Sequence, residues 1–244
     1  MEIIKKAAIP ESLNCIKKLF KTPYKGINWN DERIGENRKK LRKHILDNEQ
    51  KGKCAYCSCR LELESSHIDH FLKRELFEEK TFCHNNLFVS CLSNNHCANY
   101  KDNLLKHLGN NIEARNINKK LISPIENITD FIVYDMSCFS FPKRELNSSD
   151  KERAELTIKY FNFNHEELKQ IRFNLLKSIL ITLKGIPQEN FDNWTISLLN
   201  QTPLKDLIIS LLPNLKKLVS NKEILDKYIK STYINSYGLL NAKS

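Results

Sequence analysis

Residues 54–101 hold most of the side chains in this chain that can do chemistry. Cys54-Ala55-Tyr56-Cys57 and Cys91-Leu92-Ser93-Asn94-Asn95-His96-Cys97 bracket the segment His67-Ile68-Asp69-His70-Phe71. Four thiolates can close a tetrahedral zinc site, and a site closed by protein ligands is structural, because no position is left for water or substrate. The second pair is more widely spaced than usual zinc ligands, so His96 is an alternative to Cys97 as the fourth ligand. Asp69-His70, between the pairs, is free for a reaction. A neutral histidine takes a proton from water near neutral pH. A carboxylate beside it suits a hard divalent ion such as Mg²⁺ or Mn²⁺, which would offset charge on a scissile phosphate. The expected roles are therefore His70 as general base and Asp69 as ligand of the catalytic ion. Asn99, in the following helix, is the expected second oxygen donor. Asn86 is placed to bond backbone and hold the His70 loop, and Lys101 to contact phosphate. His67 would share a strand face with Asp69 and reads as polar surface. His84, His107 and His165 read as solvated or structural.

The elements that must position these groups follow from apolar spacing. Residues 11–20 carry Leu13, Ile16, Leu19 and Phe20 at helical intervals, with Cys15 on the same face as a core thiol, and a loop follows over 22–28. Residues 31–49 predict a charged helix with Ile34, Leu41, Ile45 and Leu46 inward. Its other face carries Arg38, Lys39, Lys40, Arg42 and Lys43, which suits phosphate contact as well as plain solvation. Residues 60–70 predict a strand, Leu87-Phe88-Val89 a second, and 98–108 a helix, in the order of a ββα unit. Residues 121–142 are strand-like and aromatic. From 149 onward the pattern is helical, starting at a capping box Ser149-Asp150-Lys151-Glu152 and again at Asn164-His165-Glu166-Glu167, with separations near Gly185, Pro203 and Pro213. The parts so defined are a basic helical segment (1–50), a zinc-type core with packing strands (51–148) and a helical region (149–244).

The chain has 244 residues, with 39 Lys+Arg against 29 Asp+Glu, a formal net charge of +10. That balance favours a polyanionic partner such as nucleic acid. No apolar run is long enough to span a bilayer, and the first residues lack a signal-peptide core, so the expected location is cytoplasmic and no membrane partner is expected. Eight cysteines without a secretion signal argue against a disulfide framework. Of the four outside the pairs, Cys59 is a spare ligand by proximity, and Cys83 and Cys138, like Cys15, have no assigned chemistry. Glycine is scarce and no Gly-rich phosphate loop occurs, so ATP binding is not expected of this chain.

In order, Cys54-x-x-Cys57, Asp69-His70, Asn86-Leu87, Cys91…Cys97 and Lys101 resemble the HNH nuclease family and its ββα-metal core. More narrowly, residues 36–173 resemble the PtuB-like HNH proteins of Septu and retron anti-phage systems. The likeness takes in Leu41…Leu46…Gln50, Leu121-Ile122-Ser123-Pro124, Arg153-Ala154 and Phe161-Asn162-Phe163-Asn164. The resemblance implies an α+β, mainly α fold: a zinc-stapled ββα-metal core embedded in a helical protein with a helical C-terminal part. It implies a metal-dependent endonuclease cutting DNA, or RNA such as tRNA. It also implies a partner ATPase of the SMC/ABC (PtuA-like) type and, in retron systems, a reverse transcriptase with its branched DNA–RNA product (msDNA). The chain departs from the family at Ala98, where many members carry an Asn or His that ligates the catalytic ion, and at Phe71-Leu72-Lys73-Arg74, which lacks the proline common there.

Overall fold

The computed structural model describes residues 3–13, 18, 19 and 27–230. The expected positions of Cys15, Ile16, Phe20 and most of the 22–28 loop lie outside the described residues. The described chain is mainly helical, with two small antiparallel sheets. It divides into two compact units, one formed by 1–132 and 141–165, the other by 133–140 and 166–244. No helix among the described residues is long and apolar enough to cross a membrane.

In the first unit a 3-10 turn, Glu32–Ile34, is capped by the Asp31 carboxylate accepting from the Arg33 amide. It runs directly into α1 (Gly35–His44), which ends in a π turn over Ile45–Glu49. Leu41, Ile45 and Leu46 bury on the inward side with Leu87 and Val89. The wide π turn also delivers Glu49 and Gln50 inward, both buried despite their polarity. The Gln50 side chain bonds the amide and carbonyl of Val89, each at 2.8 Å, and so stands in for a neighbouring strand at that edge.

β1 (Ser66–His70) and β2 (Leu87–Cys91) pair antiparallel, with Ser66 opposite Cys91 and His70 opposite Leu87. The expected strand over 60–70 is shorter because residues 63–65 turn before β1. α2 (Cys97–His107) completes the ββα unit, and Gly109, at φ 75°, ends it in the left-handed conformation that glycine adopts without strain. α3 (Ile112–Lys120), which the apolar pattern did not single out, starts at Asn111, whose side chain accepts from the Ala114 amide. β3 (Ile132–Tyr134) and β4 (Ser140–Pro142) are the only strands found within 121–142, among the described residues.

α4 (Ser148–Tyr160) is capped by Asn147 accepting from the Asp150 amide, two residues before the expected capping box. It belongs with the first unit rather than with the helices after it. Phe161, at its end, stacks on Tyr56 at 4.4 Å, and its carbonyl accepts from the Cys97 amide at 3.0 Å. The helical region expected from 149 therefore starts, as a separate body, only at 166.

The second unit holds α5 (Glu166–Leu183), α6 (Phe191–Gln201), α7 (Lys205–Val219) and a helical stretch over 222–230. Leu176, Leu180, Leu183, Leu207, Leu211 and Leu215 are central to its own apolar core. Pro213, expected to separate helices, sits inside α7. Its missing amide costs one backbone bond, but the buried stripe of Leu207, Ile208, Leu211, Leu215 and Leu218 runs through it and holds the helix together.

Candidate functional site

The four cysteines converge. Cys54 and Cys57 come from the loop before β1, Cys91 from the last position of β2, and Cys97 from the first position of α2. Their sulfurs all lie within 4.8 Å of one another, and none of the four is in a disulfide. The loop is shaped by backbone bonds: Cys54 N to Cys59 O at 2.8 Å, Ser58 N to Cys54 O at 3.1 Å, and Ala55 N to Val89 O at 3.0 Å. Ser58 (φ 60°) and Cys97 (φ 63°) take left-handed backbone conformations at the two places where the chain turns toward the cluster. Four thiols this close cannot all ionise without a cation to offset them, and the all-sulfur set is the donor chemistry of a structural zinc. His96 lies outside the set. Its Nδ1 stands 3.1 Å from Cys97 Sγ, which makes it a neighbour of a ligand and leaves Cys97 as the fourth sulfur. Cys59 Sγ contacts the Cys57 carbonyl at 3.9 Å and is not one of the four.

Asp69 and His70 are adjacent, and in a strand adjacent side chains part to opposite faces. Asp69 points to α2. Its side chain is 1% exposed and that of Lys101 is 0% exposed. Lys101 Nζ donates to Asp69 Oδ1 and Oδ2 at 3.2 and 3.1 Å, and to the carbonyls of His70 and Phe71 at 3.0 and 3.1 Å. It also pairs with Asp102 at 3.2 Å. The Tyr56 hydroxyl donates to Asp69 Oδ2. Burial is the largest single influence and would raise the Asp69 carboxyl, but the Lys101 ammonium, the Tyr56 hydroxyl and His67 together outweigh it and hold Asp69 below the usual carboxylate range. Burial alone would lower Lys101, but the Asp102 and Asp69 carboxylates hold it above its ordinary value.

Three expectations change here. Lys101 does not reach solvent and cannot contact a phosphate; it is the internal cation that ties α2 to the end of β1. Asp69 already has both oxygens on that ammonium, so it is not an open ligand for Mg²⁺ or Mn²⁺. Asn99 does not join it. Its amide donates to Leu92 O at 3.1 Å and Asn94 Oδ1 at 3.3 Å, closing the loop between Cys91 and Cys97. Ala98 is fully buried and offers no donor atom. The described residues, as arranged, do not fit a divalent ion at Asp69, and no step is assigned to one.

His70 points the other way. Its ring meets Trp29 edge-on at 4.5 Å, and Nε2 lies 3.0 Å from the Thr81 carbonyl. A carbonyl only accepts, so Nε2 carries the proton and Nδ1 keeps the lone pair. Burial lowers the imidazole to about 3, so it is neutral at physiological pH. The loop after it is clamped by Asn86. Asn86 Oδ1 accepts from Leu72 N at 2.7 Å, and Nδ2 donates to the carbonyls of Leu72 at 3.0 Å and Lys80 at 3.2 Å. Asn118, from the unforeseen α3, adds a second clamp, accepting from Lys73 N at 2.8 Å and donating to Phe71 O at 2.9 Å.

Of the two readings of His84, solvated or structural, the geometry matches the structural one. Its Nε2 lies 2.7 Å from Glu49, whose other oxygen takes Lys6 at 2.9 Å. Among the residues that sequence reading missed, Tyr56, Trp29 and Asn118 had no readable signal, because their partners are remote in the chain. Lys101 was named as a phosphate contact, yet its spacing carried a signal for the buried role. It shares a helical stripe with Ala98 and Leu105, which marks a position turned inward. No protein-family model matches this chain, and no curated protein matches it to a significant degree.

Proposed function

We propose that this chain is a zinc-stapled endonuclease of the HNH type that hydrolyses phosphodiester bonds, with His70 as general base. The observation that supports it is the single tautomer held at His70: Nε2 spent on the Thr81 carbonyl, Nδ1 left as acceptor, and the loop fixed by Asn86. In the proposed step Nδ1 takes a proton from water, the resulting hydroxide attacks phosphorus, the bond from phosphorus to the leaving oxygen breaks with that oxygen taking a proton from solvent, and the imidazolium returns its proton to solvent. The substrate is DNA, or RNA such as tRNA. The motif resemblance extends the proposal to an effector of a Septu- or retron-type anti-phage system acting with an SMC/ABC-type ATPase. In a retron setting a reverse transcriptase and its msDNA join them. Co-purification of the full chain with such an ATPase tests that part.

The test of the chemistry is cleavage of end-labelled DNA and RNA by the zinc-loaded chain, with and without added magnesium or manganese. His70→Ala should lower the rate by about 10² to 10⁴-fold, the usual contribution of a positioned base, with zinc content unchanged. Full activity in that variant would remove His70 from the mechanism.

A second reading is favoured by the Lys101–Asp69 pair and by Ala98: a non-catalytic zinc module that binds nucleic acid or serves assembly. It predicts binding without cleavage under every metal condition.

A further inference from the structure

A groove of about 500 Å³ lies beside β1, with Trp29, Glu36, Arg38, Lys39, Arg42 and His67 in its walls. Three of these side chains are cations and one is a carboxylate, and Glu36 faces Lys40 at 4.0 Å. We propose that this groove is the seat of the nucleic-acid backbone, with Lys39 and Arg42 taking phosphate oxygens. The inference rests on the reading of the chain as acting on nucleic acid and names where the polymer lies.

Four observations carry it. Arg38 and Arg42 are anchored rather than loose: Arg38 donates to the Trp29 carbonyl, and Arg42 Nη1 donates to the Ser66 carbonyl at 2.7 Å. A guanidinium held at one end presents its remaining donors at low entropic cost, in the fork geometry that suits phosphate. Polar capacity is left over: Arg42 Nε, a donor, and His67 Nδ1 are buried polar atoms with no hydrogen-bond partner among the described residues. Lys39 is exposed and has no ion-pair partner among the described residues, so its charge is not already neutralised. Finally, Trp29 forms a wall of the groove and also touches the His70 ring at 4.5 Å, so one side chain links the groove to the proposed base. The net charge of +10 draws a polyanion toward such a site from a distance. Contacts to phosphate carry no base identity, so both duplex DNA and single-stranded RNA are admitted.

The test is fluorescence anisotropy of the full, zinc-loaded chain with labelled 20-base-pair DNA and 20-nucleotide RNA, without added magnesium, over a salt series. Lys39→Glu with Arg42→Gln should weaken binding about tenfold or more. It should also flatten the dependence of log affinity on log salt by about two, one for each phosphate that is no longer neutralised. Because Arg42 also holds Ser66, Lys39→Glu alone is the second arm and should flatten that slope by about one. Lys217→Glu, a similar charge reversal in α7, is the control and should change affinity less than about threefold, the scale of a general field effect. Equal losses in Lys39→Glu and Lys217→Glu would overturn the groove, as would polyglutamate displacing the nucleic acid at matched charge. Groove-dependent binding with no cleavage under any metal keeps this inference and removes the nuclease reading. Cleavage with an unchanged KM in Lys39→Glu does the reverse.

Discussion

Lys101 changes the meaning of its neighbours. With the ammonium in place, Asp69 is one half of a buried pair, and the carboxylate that looked like a metal ligand has a structural partner. Lys101→Met would leave Asp69 buried and unpaired, and should cost about 3–5 kcal/mol in urea unfolding. Adding Asp69→Asn should recover much of that loss, which a phosphate-contacting lysine would not allow. The Glu49 cluster makes a prediction about pH. Burial pushes the Glu49 carboxyl up, but the His84 and Lys6 partners outweigh it and hold the carboxyl below its usual range. A depressed carboxyl contributes stability that is complete above the unfolded-state pKa, about 4.3, and is lost as pH falls through the folded-state value. The urea midpoint should therefore drop below about pH 4 through this group. Glu49→Gln should remove that part of the acid limb and lower the midpoint at neutral pH, because Lys6 loses its buried partner.

At the scale of elements, the ββα unit depends on the cysteine cluster. β1 and β2 have five residues each, and two strands of that length are marginal in water without a staple. Structural zinc supplies an apparent free energy of about 10–16 kcal/mol in small zinc peptides, enough to decide folding here. One zinc per chain is expected by elemental analysis. Cys97→Ser should lose it, while His96→Ala should retain it; the opposite pattern would make His96 the ligand. The order strand, strand, helix was legible in the sequence because period-two and helical spacing switch cleanly between 66 and 107. The ends were less so. The 60–70 segment alternates apolar and polar residues, yet only its last five residues find a partner strand. The start of α4 was misplaced by two residues because Asn147 and Ser149 are both good cap residues, and only backbone geometry selects Asn147.

At the scale of the molecule, each unit has an apolar core of its own, one around Leu41, Ile45, Leu87 and Val89, the other around Leu176, Leu180, Leu211 and Leu215. Removing zinc with a chelator should abolish amide protection in β1, β2 and α2 while amides of α5 and α7 stay protected in hydrogen exchange. Loss of protection throughout would show that the two cores unfold as one. The helix start at Asn164–Glu167 was readable in the sequence, but that this break divides the two units was not. Tertiary contacts set it: Phe161 stacks on Tyr56, and Asn162 donates to the Asn95 carbonyl at 2.7 Å, so the end of α4 is fastened to the part that carries the cysteine cluster.

The amino-acid order by itself determined the cysteine pairs as metal-type donors, with Cys97 or His96 left open for the fourth place, the ββα order, the inward faces of the helices and the neighbouring placement of Asp69 and His70. These are local properties, carried by residue type and spacing of a few positions. Which partners the polar side chains take was decided only in three dimensions. Asp69 finds Lys101 and Tyr56, His70 finds Thr81 and Trp29, and Asn99 turns to its own loop. The reason is physical. A buried charge must be paired, and the pairing group can come from any part of the chain that folding brings near.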